Sequence, residues 1–381
     1  MNSIKNMIET AGWPRIIIGL FLLSLFMVAP LVGVKVSTSI HDTIVRFGRN
    51  GVMVLAMVPM IRSGCGLNFG LPLGIIGGIL GILISVEMEL VGMSGFLTAL
   101  GLGVVFAAFL GWGYGILLNM VKGDEMMIAT YVGFSSVAFM CMAWLLMPFK
   151  SAAMVLSYGG SGLRTTISMD DFWTDLLSCS LLDMLPDAAA SFFSQLDISF
   201  LYKILPDGLV AWAVSVVQFI FLEQAMGMIL FFGFMCFLVW LFFRTKVGQA
   251  MNAVGQNPDF ARASGISVDK MRVLSVVLST VLGAVGIIVY AQSYGFVQLY
   301  LAPLYMAFPA VAAVLLGGAA VGRVAIVHVL VGTFLFQGIL AMTPSVINSA
   351  LKGLDISEVL RLIISNGMII YALTRRTKEV R

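Results

Sequence analysis

Segments of about 20 apolar residues recur along most of this chain, and that recurrence restricts it to one physical setting. A helix that crosses a bilayer needs about 20 mostly apolar residues to cover the hydrocarbon core. The runs lack the period-2 alternation that a membrane barrel requires. Water cannot solvate such a surface, because 60% of the 381 residues are hydrophobic and 11% are charged. Soluble domains carry about a quarter charged residues. The expected fold class is an all-α integral membrane protein, one transmembrane domain over residues 1–381.

Hydropathy marks about ten transmembrane helices, at 16–34, 44–61, 71–90, 96–121, 126–147, 225–243, 273–291, 303–318, 324–342 and 356–373. The second is the least apolar, because it contains Arg46 and Arg49. The first exceeds a signal-peptide core and precedes no A-x-A site, so it reads as an uncleaved span. An even number of spans puts both termini on one side. With the N- and C-termini cytoplasmic, about 14 of the 22 basic residues face inward, among them Arg15, Arg62, Lys122, Arg244, Arg272 and Arg323. The outer side then receives Asp170, Asp171, Asp175, Asp183, Asp187, Asp197 and Asp207. This is the charge bias of a cytoplasmic N-terminus. Residues 148–224 become one long external insertion. Its later part, "LPDAAASFFSQLDISFLYKILPDGL", has apolar residues at helical spacing. It reads either as an amphipathic helix that receives an external delivery protein or as a solvated, surface-packed insertion.

Several chemistries are excluded by what the residues lack. There is no G-x-x-x-x-G-K-[ST], G-x-S-x-G or H-E-x-x-H. His41 and His328 form no metal-spaced pair, and His328, inside an apolar span, reads as a packed, hydrogen-bonded histidine. Cys65, Cys141, Cys179 and Cys236 form no CxxC. The 25 methionines suit helix packing. The net charge of +3 is dispersed at helix ends and gives no nucleic-acid surface. No enzyme activity and no cofactor are expected of this chain. Ionisable groups inside spans usually mark ion or proton pathways. Glu87, Glu89, Glu223 and Arg361 all lie close enough to an interface to snorkel. A carrier driven by an ion gradient would want a charged relay deeper in the membrane.

Two polar interruptions remain. In "RSGCGLNFGLPLG", residues 62–74, Gly, Asn and Pro break the apolar pattern. A plain cytoplasmic turn has this composition. So does a broken helix lining a substrate path, in which Asn68 is the polar contact and Phe69 a stacking surface. The second interruption, residues 244–272, is "RTKVGQAMNAVGQNPDFARASGISVDKMR". A short helix over 249–254 is expected, then a restart at Asn257-Pro258 and a second short helix over 259–263, ended near Gly265. Ala253, Ala261, Ala263 and Ser264 are small enough for such a helix to enter a cleft of a soluble partner. A cytoplasmic hairpin loop is the other reading.

The second interruption resembles the cytoplasmic coupling loop of ABC-importer permeases in the branched-chain amino acid, ribose and nucleoside permease superfamily. Their pattern is close to T-x-x-G-x-x-x-x-A-x-G-x-N-x-x-A-A-x-x-x-G-I. Thr245, Gly248, Ala253, Gly255, Asn257, Ala261, Gly265 and Ile266 match it in order, and Phe260 departs from it. "FPAVAAVLLGGAAVGRVAIVHVLVGTFLFQGIL" is similar to the Gly-rich span pair of ribose-type permeases, through Gly317, Gly318, Gly322 and Gly332. "GDEMMIATYVGF" resembles a segment of nucleoside-type permeases, and "GLNFG" partly matches both types.

The resemblance implies a permease subunit of an ATP-driven importer in a bacterial inner membrane, surrounded by lipid. ATPase coupling would fall to the eight matching residues with Pro258 and Ser264. Two permease subunits would pair, as a homo- or heterodimer. ABC ATPase subunits, which bind ATP-Mg, would dock from the cytoplasm, and an extracytoplasmic solute-binding protein would deliver a simple sugar such as ribose, or a nucleoside. On this reading Gly255→Trp or Ala261→Trp uncouples hydrolysis from uptake in a folded protein. An ion-gradient-driven secondary transporter and a membrane scaffold without flux are the rival classes.

Overall fold

The structure, a computed structural model, describes residues 13–34, 36–155, 162–177, 226–320, 324–350, 359, 362–364 and 366–370. The described helices are α1 (Trp13–Val28), followed by a 3-10 turn (Ala29–Val32), α2 (Val36–Leu55), α3 (Met57–Arg62), α4 (Leu71–Glu87), α5 (Gly92–Met120) and α6 (Glu125–Leu146). After a short strand, β1 (Thr166–Ser168), come α7 (Met226–Arg244), α8 (Lys246–Gln256), α9 (Pro258–Ala263) and α10 (Val268–Tyr294). Strand β2 (Phe296–Gln298), α11 (Ala302–Leu316) and α12 (Ile326–Ala350) complete the order. Among the described residues seven helical segments are long and apolar enough to cross a membrane, with α2 and α3 together forming one of them. Helices α4 and α11 are apolar but shorter.

These nine segments fall on nine of the predicted spans. The predicted tenth, 356–373, lies mostly outside the described residues. The second span starts earlier than hydropathy places it, at Val36, because its polar residues do not interrupt the helix: Thr43 donates its hydroxyl to the Ser39 carbonyl at 2.8 Å.

Helix α4 is the centre of the bundle, packed between α5 and α10 and buried around nearly its whole circumference. In lipid, helices associate through close packing of small residues rather than through burial from water. Gly77 illustrates the fit, since a Cβ there would stand 2.7 Å from the Ala107 nitrogen of α5. Helices α11 and α12 cross in the same way at Gly317 and Gly332. A Cβ on Gly332 would overlap the Ala313 carbonyl oxygen and stand 2.8 Å from the Gly317 nitrogen. Both obstacles are backbone and cannot rotate aside. Gly332→Leu is therefore expected to cost about 1–3 kcal/mol, seen as a lowered melting temperature of the purified protein. An unchanged melting temperature would contradict this account of the crossing. Gly318, just past α11, adopts the left-handed φ of 92° and carries the Arg15 guanidinium against it. Gly322 lies outside the described residues.

Part of the 148–224 segment is described. Its β1 pairs antiparallel with β2, with Ile167 opposite Val297. Glu87, at the end of α4, accepts hydrogen bonds from the Lys150 and Ser151 amides at 3.1 Å. Trp173 is buried edge-on to Phe96, with ring centres 5.9 Å apart. This stretch therefore closes over one end of α4, α5 and α10. The expected amphipathic piece, with Asp183, Asp187, Asp197 and Asp207, lies outside the described residues.

Candidate functional site

At the opposite end of α10, residues 244–272 form two short helices, as their sequence predicts. Thr245 caps α8, its hydroxyl oxygen accepting from the Gly248 amide at 3.3 Å. Asn257 caps α9 by accepting from the Phe260 amide at 3.0 Å, and Pro258 occupies the first turn, where its missing N–H costs nothing. Gly265 ends α9 at a φ of 80°, a left-handed position that glycine takes without strain.

The small residues of this segment divide between two faces. Ala261 is fully buried against Val254 and Val268, with Ile266 beside them. Gly255 lies on the chain that follows α3: a Cβ would overlap the Arg62 carbonyl oxygen, and the Gly255 Cα is within 3.2 Å of the position a Gly64 Cβ would take. Gly248 is pressed against the Phe242 carbonyl. Ala261 thus serves the chain's own packing, which corrects the expectation that it enters a partner's cleft, and Gly255 packs inward as well. Ala253 is half-buried. The outward face consists of Pro258, Asp259, Phe260, Arg262, Ala263 and Ser264, and Phe260, the departure from the family pattern, is 66% exposed.

Arg62 links this segment to the bundle. Its Nε donates to the Val324 carbonyl at 3.0 Å, and its guanidinium lies 4.2 Å from the centre of the Phe243 ring. One residue therefore touches the end of α7, the turn into α12 and, through its carbonyl, Gly255 on α8.

Deeper in the bundle, Asn68 is fully buried in a closed network. Its amide donates to Ser279 at 2.7 Å, Ser279 donates to the Ala56 carbonyl at 2.6 Å, and the Tyr114 hydroxyl donates to the Asn68 oxygen at 3.3 Å. Phe69 packs near Phe308, with ring centres 6.1 Å apart. These contacts stitch α5, α10 and the chain around α3 together.

Further along α10, a cavity of about 410 Å³ opens between α2, α10, α11 and α12. Asn68 and Phe69 do not line it. Its polar lining includes Arg46, Arg49, Asn50, Tyr290, Tyr294 and Gln337. From Ser279 to Tyr290 is eleven residues, about 16 Å of helix, so the Asn68 network separates this cavity from the α8–α9 end. The Arg49 guanidinium sits 5.1 Å from the Tyr290 ring centre and 4.6 Å from that of Tyr294. Arg49 is only 7% exposed, and its Nε is buried without a hydrogen-bond partner.

Arg46 and Arg49, which in the sequence only lower the hydropathy of the second span, are intramembrane charges at this cavity, a correction to the set Glu87, Glu89, Glu223 and Arg361. The signal was available: Arg46, Arg49, Asn50, Met53 and Val54 recur at i, i+3, i+4, i+7 and i+8, a single stripe of an α-helix. Buried charge inside a span is a functional signal by default. A guanidinium stays protonated in proteins, so this charge is unsuited to relaying protons. Glu87 holds the Lys150–Ser151 turn, as described above. Glu223 and Arg361 lie outside the described residues. His328 is hydrogen-bonded as expected, its Nδ1 accepting from the Ala325 amide at 3.3 Å.

A family model described as "Branched-chain amino acid transport system / permease component" matches residues 20–373. No curated protein and no solved structure matches the chain. Because that match runs through the glycine-packed bundle, the arginine-lined cavity and the α8–α9 segment together, the chain belongs to this permease family and is a transmembrane transport subunit.

Proposed function

We propose that the chain is the permease subunit of an ATP-driven ABC importer in a bacterial inner membrane. Its termini are cytoplasmic, residues 244–272 are the cytoplasmic coupling loop, and residues 148–224 are an external insertion. The observation that carries this reading is the α8–α9 segment. It is seated on the chain's own backbone through Gly255 and Ala261 and presents a separate outward face around Phe260. An exposed phenylalanine flanked by Pro258, Asp259 and Arg262 suits a groove on a soluble ATPase, which would bind the ATP-Mg. Two permease subunits pair, and a solute-binding protein delivers a small polar solute, for which the resemblance favours a simple sugar or a nucleoside. The cavity beside Arg49 receives it, and the Asn68–Phe69 region belongs to the closed inner half of the path. Motion of the ATPases reaches this region through Arg62, and the bundle alternates access.

The pairing of β1 with β2 fits the order of spans, because α7 and α10 return the chain to the face it left and so bring the 148–224 segment and the chain after α10 together. The charge bias is what makes that face external.

The test is co-purification of the tagged chain from native membranes in mild detergent. A protein carrying G-x-x-x-x-G-K-[ST] is expected with the wild type, and at least tenfold less of it with Phe260→Glu. Recovery of the intact chain without such a protein would move the assignment to an ion-driven carrier.

A further inference from the structure

We propose that the cavity between α2, α10, α11 and α12 selects a small solute of net negative charge, recognised through a carboxylate or phosphate oxyanion. The inference rests on the transport reading above and specifies its solute. Arg46 and Arg49 lie one turn apart on α2 and both line the cavity. Among the described residues no carboxylate lines it and neither arginine is ion-paired. Asp42, about one turn before Arg46 and two before Arg49 on the same helix, is exposed and forms an ion pair with neither, although its charge is felt at Arg49.

Like charges at this helical spacing repel, and a buried charge without a partner is costly. Arg49 nevertheless stays buried, its guanidinium beside the stacked pair Tyr290 and Tyr294, whose centres are 5.2 Å apart and lie 5.1 Å and 4.6 Å from it. Ring faces attract a cation but leave its in-plane N–H groups free, and the Arg49 Nε has no acceptor. A guanidinium fork matches the two oxygens of a carboxylate or phosphate. An oxyanion would therefore provide both the missing counter-charge and the missing acceptor.

The remaining polar groups suit the neutral part of such a solute. Gln298, Tyr305 and Gln337 offer amides and a hydroxyl at the cavity wall. A volume of about 410 Å³ is at the small end for ligand pockets. The described lining offers no carboxylate to receive an ammonium group, so it discriminates against zwitterions. An uncharged sugar or nucleoside leaves both arginines unanswered, so within the solute classes named above the cavity favours acidic derivatives, a sugar acid or a phosphorylated sugar or nucleoside.

The experiment follows depletion of solutes from a rich medium supplemented with sugar acids, sugar phosphates, other carboxylates, their neutral parents and amino acids. Cells of the native host are compared with cells lacking the chain, and depletion is read by mass spectrometry. The compound whose uptake depends on the chain is expected to be an anion at pH 7, and its identity separates carboxylate from phosphate. Its uptake is expected to fall at least tenfold in Arg49→Gln and to be partly kept in Arg49→Lys, at equal membrane abundance. Arg46→Gln, at a half-buried position, provides a second variant should Arg49→Gln fail to accumulate. A neutral, zwitterionic or cationic compound would overturn the inference and leave the permease reading standing. So would anion uptake unchanged in both glutamine variants. If no compound depends on the chain, the transport reading falls, and the inference with it.

Discussion

Gly255→Trp is expected to reduce uptake by more than tenfold while the helical bundle stays folded. The cause is steric and local. Even a Cβ at this position would overlap the Arg62 carbonyl oxygen and stand 3.0 Å from the Gly64 nitrogen. Those atoms are backbone: the Gly64 N–H donates to the Ile61 carbonyl at 3.2 Å, and the neighbouring Ser63 and Cys65 N–H groups donate to the Pro59 and Met60 carbonyls, both at 3.1 Å. The indole cannot be accommodated by a rotamer change, so α8 must lift away from the chain after α3. Overpacking of this kind costs about 1–3 kcal/mol and occasionally more. The site lies at the edge of the bundle, far from the α4–α5–α10 centre, so the membrane helices keep their packing. The contact through which the outward α9 face would move Arg62 is lost. Uptake and ATP hydrolysis measured in the same proteoliposomes check this: hydrolysis without uptake is expected, with Gly255→Ala intermediate. Normal uptake by the Trp variant would sink the coupling assignment. Ala261→Trp is also expected to fail, by forcing apart Val254 and Val268 rather than by blocking a partner.

Glu125→Ala is expected to destabilise the protein by about 3 kcal/mol. The Glu125 carboxylate at the start of α6 accepts a charge-assisted hydrogen bond from Arg272 on α10, and the two side chains are only 17% and 13% exposed. Removing one partner of a largely buried pair leaves the other charge uncompensated, at a cost of about 3–5 kcal/mol, the low end applying near a helix terminus where water can approach. Arg272 keeps Cys65 and Asp269 as neighbours, but its Nε is already buried without a partner. Thermal unfolding of the purified protein measures the loss. Glu125→Gln, which keeps an acceptor, is expected to lose less, and Glu125→Ala with Arg272→Met to recover part of it. Equal stability of Glu125→Ala and the wild type would show that the pair is solvated. The Lys122–Asp269 bridge nearby, 2.9 Å long but about half exposed on both sides, is expected to contribute at most about 1 kcal/mol.

Much of the α8–α9 segment was legible beforehand. Asn257, Pro258 and Gly265 are local signals: a cap, a first-turn proline and a left-handed glycine act within a few residues, so their consequences follow from neighbours in the chain. What could not be read was which way its small residues face. Gly255 and Ala261 look alike in a pattern of exposed small positions, yet both are closed by residues far away in sequence or across a turn. Phe260, which breaks the family pattern, proved to be the outward side chain. Asn68 shows the same limit. A polar residue in a glycine-broken segment suggests a substrate contact, but its amide is satisfied by Ser279 and Tyr114, more than 200 and about 46 positions away.

The sequence by itself determined that the chain is helical and membrane-spanning, where nine of its apolar helices lie, and that two short helices interrupt them. Hydropathy and capping are properties of consecutive residues, and a bilayer leaves the backbone little choice but to satisfy its hydrogen bonds within each helix. Only the tertiary structure decided the roles of the polar side chains. Arg49 faces a cavity because α10 brings Tyr290 and Tyr294 over its guanidinium and α11 and α12 leave a gap beside it. Asn68 faces none because α5 and α10 close around it. Whether a buried polar group meets a partner or an opening depends on which helices pack against it, and in this bundle that is set by backbone contacts at glycines such as Gly77, Gly317 and Gly332.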